Sequence, residues 1–266
     1  LEQSKQNDAL LHKARIAMDM LQDARQRQCG PLLGSSPVVQ KLNHDILQVA
    51  QHHETVLLQA ESGCGTEYVA RTIHDQSDRQ INPFIYVNCS QISQTNSKPI
   101  FSISSEQSSK INLASGGTLY LDRINKMPID IQKEFIEHII EFLGKNIRLI
   151  SFSSVDLKEL VYQKKFSAEL YSYISKNSLA VPSLKSRTED IPEMAEFYLK
   201  HFSSHHGKNI NSLSPESLSA LQNYSWPGNI NELISIIESQ VVICSSSCLN
   251  IEPSVFNKGA GIGSYH

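Results

Sequence analysis

The segment Gln59-Ala60-Glu61-Ser62-Gly63-Cys64-Gly65-Thr66-Glu67 has the glycine spacing of a phosphate-binding loop but not its charge. In a working loop, glycines let backbone N–H groups surround phosphate oxygens, a Lys reaches the terminal phosphates and a hydroxyl holds Mg²⁺. Here the Lys position is Thr66. Backbone N–H groups at a helix N-terminus can bind an anion without that Lys. Glu61, Ser62, Gly63, Cys64, Gly65, Thr66 and Glu67 are therefore candidate nucleotide-binding residues, the alternative being a turn kept only for packing between strand and helix.

Such a loop needs a strand before it and a helix after it. The apolar Thr55-Val56-Leu57-Leu58 reads as a buried strand, and Tyr68-Val69-Ala70-Arg71-Thr72-Ile73-His74 as a helix. Strands at 55–59, 84–87, 118–121 and 148–152 alternate with helices at 67–75 and 128–143. This alternation predicts an α/β fold, a mostly parallel sheet with helices on both faces. Gly34-Ser35-Ser36-Pro37 supplies an N-cap and a first-turn Pro for a helix through Ala50. After Pro192 the pattern becomes helical, at 192–205, 215–224 and 229–243, punctuated by His205-His206-Gly207 and Trp226-Pro227-Gly228. Residues 90–115, rich in Ser, Gln, Asn and Lys, read as a surface loop or a partly disordered stretch. Near the N-terminus, Leu11, Ala14, Met18 and Leu21 follow a heptad-like spacing over a helix at 8–27. That helix either packs on its own domain or serves as a dimer or signalling linker, and Cys29-Gly30-Pro31 ends it.

A chain of 266 residues can form one large domain with a smaller appendage, or two unequal domains. Its net charge of -3 argues against a broad nucleic-acid face. No run approaches the roughly 18 apolar residues of a membrane helix, and no signal-peptide core is present, so a cytoplasmic location without membrane contact is expected. Cys29, Cys64, Cys89, Cys244 and Cys248 include one C-x3-C pair with no second Cys or His pair at zinc spacing, which predicts reduced thiols and no metal site. His52-His53 and His205-His206 read as solvated loop residues. Leu1 in place of an initiator Met suggests a piece of a longer chain.

Five strings occur in order: Glu61-Ser62-Gly63-x-Gly65-x-Glu67, Pro83-Phe84-x-x-Val87-Asn88-Cys89, Gly116-Gly117-Thr118-Leu119-x-Leu121-Asp122, Leu184-x-x-Arg187-x-Glu189-Asp190-Ile191-Pro192 and Trp226-Pro227-Gly228-Asn229-Ile230-x-Glu232-Leu233. Over about residues 32–253 they resemble the central AAA+ domain of bacterial enhancer-binding proteins, the activators of sigma-54 RNA polymerase. The resemblance implies a linker helix at 1–30, a P-loop AAA+ type α/β core at 31–188, a small C-terminal helical lid at 189–253 and a tail at 254–266. It also implies a nucleotide site and, usually, ring assembly.

The departures fall where the family's chemistry should be. The family's first loop Gly corresponds to Ala60 and its Lys to Thr66. Its acidic pair is Asp122-Arg123, so the Mg²⁺-associated Asp survives while the water-orienting Glu is replaced by a cation. Its sensor Asn aligns with Ser154, its trans-acting arginines with Ser167 and Tyr173, and its lid Arg with Asn231. The Gly-Ala-Phe-Thr-Gly-Ala loop that engages the sigma factor is missing between Cys89 and Gly116, where Lys98-Pro99-Ile100-Phe101-Ser102 is the nearest remnant of the preceding helix. Phosphoryl transfer depends on positioning and charge neutralisation, with an arginine finger alone worth about 10³ to 10⁵ in rate. Arg123 cannot serve as a base.

These residues predict no catalytic group and a non-hydrolysing regulatory domain acting by oligomerisation or nucleotide sensing. A weak ATPase activator and a ligand-free scaffold are the rival classes. Asp122 is a candidate nucleotide or metal-associated carboxylate, or a structural one that Arg123 pairs with. No cofactor is required. ATP or ADP could bind without hydrolysis, as could cyclic di-GMP, which some family members bind with arginines; Arg71 is one matching position, with Arg25 and Arg27 only near the other. The expected partners are a second copy in a weak dimer, if the chain is not a monomer, and RNA polymerase or other regulators. DNA would be reached only through a helix-turn-helix domain that this sequence does not contain.

Overall fold

The computed structural model describes residues 33–93, 109–138, 144 and 146–259. The expected helix at 8–27, the remnant at 98–102 and the tail beyond 259 lie outside the described residues. The described chain divides into two compact units. One contains His44–Gln59 and Thr66–Ala180; the other contains residues 33–43, Ala60–Gly65 and 181–259.

The first unit is built on a parallel sheet of β1 (Val56–Gln59), β2 (Phe84–Asn88), β3 (Thr118–Asp122), β4 (Arg148–Ser153) and β5 (Asn177–Ala180), in the order β2-β3-β4-β1-β5. Strands inside a parallel sheet are covered on both faces, so their sequences lose the polar alternation. Thus Val56, Leu57 and Leu58 of β1 are all buried, and so is every residue of β4. Registers such as Val56 with Ile150 and Asn88 with Asp122 fix where the strand ends fall.

Helix α1 (Pro37–Ala50) begins at the predicted Pro and buries Val39, Leu42, Ile46 and Val49 along one stripe. Helix α2 (Thr66–Asp75) buries Thr66, Val69, Ala70, Arg71, Ile73 and His74. Its His74 shares a hydrogen bond of 2.9 Å with the Thr118 hydroxyl at the start of β3. Two buried arginines hold backbone. Arg148, 2% exposed, donates to the carbonyls of Val49 and Ala50 at the end of α1. Arg79 donates to the carbonyls of Gly116 and Asn146. Burial lowers the Arg148 pKa to about 10, with Arg79 nearby adding to the shift.

The stretch at 90–115 is more ordered at its ends than its composition suggests. A 3₁₀ turn spans Cys89–Gln91, and helix α3 (Lys110–Leu113) is capped by Ser109, whose hydroxyl accepts from Asn112 N. Short elements with few residues per period also escape the sequence reading: α5 (Leu157–Tyr162), α6 (Ala168–Ile174) and strand β5. Helix α4 is described over Ile129–Glu137, within the predicted 128–143.

The second unit is mainly helical, with α7 (Ile191–His205), α8 (Pro215–Asn223), α9 (Asn229–Ile243) and α10 (Ser254–Gly259). The all-helical expectation after Pro192 misses a small parallel pair, β6 (Ser212–Leu213) with β7 (Cys248–Leu249). Its core gathers Leu184, Met194, Leu199, Leu221, Trp226, Leu233 and Ile237. Asp190 accepts from Ser35 N, Ser36 N and the Ser36 hydroxyl at 2.9, 2.8 and 2.6 Å, which fastens the start of α1 within this unit.

Candidate functional site

Within the second unit, residues 60–65 are held by the first turn of α9. Gly63 and Gly65 take φ values of +84° and +79°, a region that side chains disfavour, which is why the loop needs glycine there. The Trp226-Pro227-Gly228-Asn229 turn fits against this loop closely. A Cβ on Gly63 would stand 2.2 Å from the Gly228 carbonyl oxygen. Asn229, fully buried and at φ +52°, is the hub. Its amide nitrogen donates to Glu61 Oε2 and to the Ser62 carbonyl, both at 3.1 Å, and its oxygen accepts from Leu184 N at 2.8 Å. The Gly63 carbonyl accepts from Asn231 N at 3.2 Å. The Gly63 carbonyl thus satisfies one of the backbone N–H groups left without a partner at the start of α9, while the Ser62 carbonyl takes the Asn229 side-chain amide.

Trp226, also left-handed at φ +51°, is buried and donates its indole N–H to the Leu221 carbonyl at 2.8 Å. Glu232 closes the turn, accepting from Gly228 N at 2.8 Å and from the Tyr224 hydroxyl at 3.0 Å. Cys64 is fully buried, and desolvation together with Glu61 pushes its thiol up to about 11, against a smaller opposing pull from Arg187. It is a neutral thiol at ordinary pH. Glu61 and Ser62 are exposed.

Within the first unit, the remaining candidates form two hydrogen-bonded groups at the start of α2 and the end of β3. Thr66, at the Lys position, accepts a hydrogen bond of 3.2 Å from the Tyr120 hydroxyl. Asp122 Oδ2 accepts from the Tyr86 hydroxyl at 2.9 Å, and Arg123 Nε lies 3.8 Å from the same oxygen. Burial raises the Asp122 pKa against the opposing effects of Tyr86, Arg123 and Tyr120. Burial also raises the Tyr86 and Tyr120 pKa values, helped by the Asp122 charge, so both hydroxyls stay protonated donors. Glu67 Oε1 accepts from Arg71 Nη2 at 2.9 Å and Nε at 3.2 Å, and the Arg71 guanidinium stacks 4.5 Å above the Phe84 ring.

The candidates are thus brought into local groups: 61–63 with Asn229, Thr66 with Tyr120, Glu67 with Arg71, and Asp122 with Tyr86 and Arg123. The sequence reading missed Asn229, Tyr86 and Tyr120. Asn229 stood inside a quoted motif, and a polar residue between Gly and an apolar helix start is a helix-entry signal. The two tyrosines at the centres of β2 and β3, paired in register, were the other signal.

Ser167, Tyr173 and Asn231 are the positions that the resemblance aligns with the family's arginines. Ser167 caps α6, its hydroxyl accepting from Leu170 N at 3.3 Å while its own N–H donates to Gln132 at 2.8 Å. Tyr173 is half-buried, with Lys176 Nζ 5.6 Å from its ring centre. Asn231 is exposed. Among the described residues no group of three or more His, Cys, Asp or Glu is placed to hold a metal ion, and no helix is long and apolar enough to cross a membrane.

A five-stranded parallel sheet with a glycine loop after its β1 strand and a helical second unit defines a P-loop AAA+ domain. Residues 33–184 match the family model described as Sigma-54 interaction domain, and residues 185–254 match that of the AAA+ ATPase lid domain. The chain belongs to the sigma-54 interaction family of transcriptional regulators. It is 31% identical to Transcriptional regulatory protein ZraR of Salmonella typhimurium, covering 91% of this chain and 59% of that protein. It is 33% identical to the Nif-specific regulatory protein of Herbaspirillum seropedicae, covering 78% of this chain and 42% of that one. Among solved structures, NtrX from Brucella abortus in complex with ATP superposes with a TM-score of 0.79 at 27% identity, covering 89% of this chain and 59% of that chain. The chain therefore spans about three fifths or less of these relatives' lengths.

Proposed function

We propose that this chain is the non-hydrolysing central domain of a sigma-54-type transcription regulator, working by oligomerisation or nucleotide sensing instead of turnover. The observation that carries the reading is the loss of charge at Thr66, whose hydroxyl is engaged by Tyr120. The other cations of this unit near the motif are committed to carboxylates, Arg123 to Asp122 and Arg71 to Glu67. With a Thr for the Lys, an Arg for the water-orienting Glu, and Ser167, Tyr173 and Asn231 for the arginines, neither charge neutralisation nor water activation has a provider.

The ligand favoured is ATP or ADP, because NtrX from Brucella abortus has been crystallised in complex with each. Cyclic di-GMP is the weaker choice, since its matching Arg71 is already held by Glu67 and Phe84. Contact with RNA polymerase or other regulators follows from the family, and DNA contact would come from a domain outside this sequence. The test is phosphate release by the purified chain at millimolar ATP with Mg²⁺. No release above background is expected, and turnover that vanishes on Asp122→Ala would overturn the proposal.

A further inference from the structure

We infer that Asp122 has become an internal hydrogen-bond acceptor and is no longer a Mg²⁺ ligand, so that any nucleotide this domain takes is bound without a protein-held divalent cation. The inference rests on the nucleotide-sensing reading and assigns the chemistry of the ligand it would accept. Mg²⁺ demands a near-ideal octahedron of oxygens and gives up its water reluctantly, so it settles where one or two carboxylates stand ready beside phosphate oxygens. The two acidic side chains that the motifs offer in this unit are Asp122 and Glu67, and neither stands ready.

Asp122 Oδ2 receives the Tyr86 hydroxyl at 2.9 Å, and the Arg123 guanidinium sits 3.8 Å from it. Arg123 directly follows Asp122 and takes the left-handed region at φ +54° at the head of a 3₁₀ turn. A dication at Asp122 would have either to displace the Tyr86 donor from Oδ2 or to approach through Oδ1 alone, and in both cases it would share the carboxylate with a permanent positive charge. Glu67 gives Oε1 to two nitrogens of Arg71, whose guanidinium is pinned against Phe84.

Tyr86 is itself braced. Its ring packs against Tyr120 with centroids 5.8 Å apart, and Tyr120 stacks on Phe84 at 6.0 Å. This aromatic row lies on paired strands β2 and β3, with Tyr86 and Tyr120 at their central positions, and presents its hydroxyls to Asp122 and Thr66. Buried polar atoms that are mutually satisfied resist rearrangement, because releasing one leaves its partner unpaired. The residues present therefore do not fit the metal that the family implies.

The experiment measures ATP affinity by calorimetry for the wild type and Asp122→Asn, each with excess Mg²⁺ and with EDTA. The Mg²⁺ effect should be the same in both proteins to within about threefold, a difference of well under the 1.4 kcal/mol that corresponds to tenfold. An Mg²⁺ effect of tenfold or more that disappears in Asp122→Asn would overturn the inference while leaving nucleotide sensing intact. An effect of equal size in both proteins would place the metal on the nucleotide alone and uphold it. If ATP binds in no arm, nucleotide sensing fails, and Mn²⁺ titration followed by electron paramagnetic resonance decides the metal question: Asp122-dependent Mn²⁺ binding refutes the assignment, and its absence sustains it. The Tyr86→Phe/Arg123→Glu variant, which frees the carboxylate and keeps the ring packing, should gain Asp122-dependent Mg²⁺ enhancement of about tenfold or more, and no gain in a folded variant counts against the inference.

Discussion

Replacing Asn229 by Ala should loosen the second unit measurably, and the structure gives the size of the effect. The substitution removes three hydrogen bonds, of which the one from Leu184 N matters most because Leu184 is fully buried and water cannot replace the lost acceptor. Leaving a buried donor unsatisfied costs about 1–3 kcal/mol. Residue 229 also sits at φ +52°, where Asn is tolerated and Ala pays roughly 1–2 kcal/mol of left-handed strain. The two contributions sum to about 2–5 kcal/mol, which lowers a melting temperature by very roughly 5–15 °C in a chain of this size. Urea denaturation and thermal melting of wild type, Asn229→Ala and Asn229→Gly separate the contributions. Gly removes the same hydrogen bonds without the backbone strain, so it should be less destabilised than Ala by about 1 kcal/mol. If Ala melts within a degree of wild type, or Gly is no better than Ala, the account of Asn229 as the anchor of the 60–65 loop is wrong.

Gly63→Ala should cost about 2–5 kcal/mol in the same melts, since its Cβ would lie 2.2 Å from the Gly228 carbonyl oxygen and its φ of +84° is left-handed. Thr66→Lys alone should restore no phosphate release, because the missing groups act together. It should also lower stability by about 1–3 kcal/mol by taking away the acceptor of the buried Tyr120 hydroxyl. Asp122→Asn should raise the melting temperature at neutral pH. The Asp122 pKa is raised in the folded state by burial, so the folded protein binds this proton more tightly, and stability falls as pH rises from the unfolded toward the folded pKa. The advantage of Asn should therefore narrow as the pH is lowered through that window, and a variant less stable than wild type at neutral pH contradicts the desolvation argument. Light scattering with and without ATP should show a monomer or weak dimer and no ATP-dependent hexamer.

How much of this was legible in the sequence depended on the kind of signal. Strands β1 and β4 were plain, because burial on both faces concentrates apolar residues there, Val56-Leu57-Leu58 in β1 and Leu149, Ile150 and Phe152 in β4. Strand β5 was not, since Asn177-Ser178-Leu179-Ala180 buries only Leu179 and carries no period. Helix α3 hid in a polar stretch because four residues are too few for a stripe; its Ser109 cap was the only local sign. For the site, residue types showed departures from the family's motifs but not the partners those residues have. Thr66 and Arg123 were visible as departures, whereas Tyr86 reaching Asp122 across 36 positions, and Asn229 reaching Glu61 across 168, depend on tertiary placement that spacing does not encode.

The replacements have a common physical character that bears on reversibility. A residue evolved to meet a phosphate must keep its polar atoms available in the unliganded protein, which costs stability when it is buried. In this chain the corresponding atoms are spent internally. Thr66 accepts from Tyr120, Asp122 accepts from Tyr86, and Ser167 caps α6 while its N–H donates to Gln132. Removing a Ser cap costs about 1 kcal/mol, and each broken buried pair strands its partner, so restoring any one reactive side chain destabilises the fold before it contributes to chemistry. Neighbouring changes of this kind do not add independently. On the proposed non-hydrolysing reading, a gain of hydrolysis would thus require Thr66, Tyr86, Tyr120 and Arg123 to change together, with Ser167 altered separately at the head of its own helix.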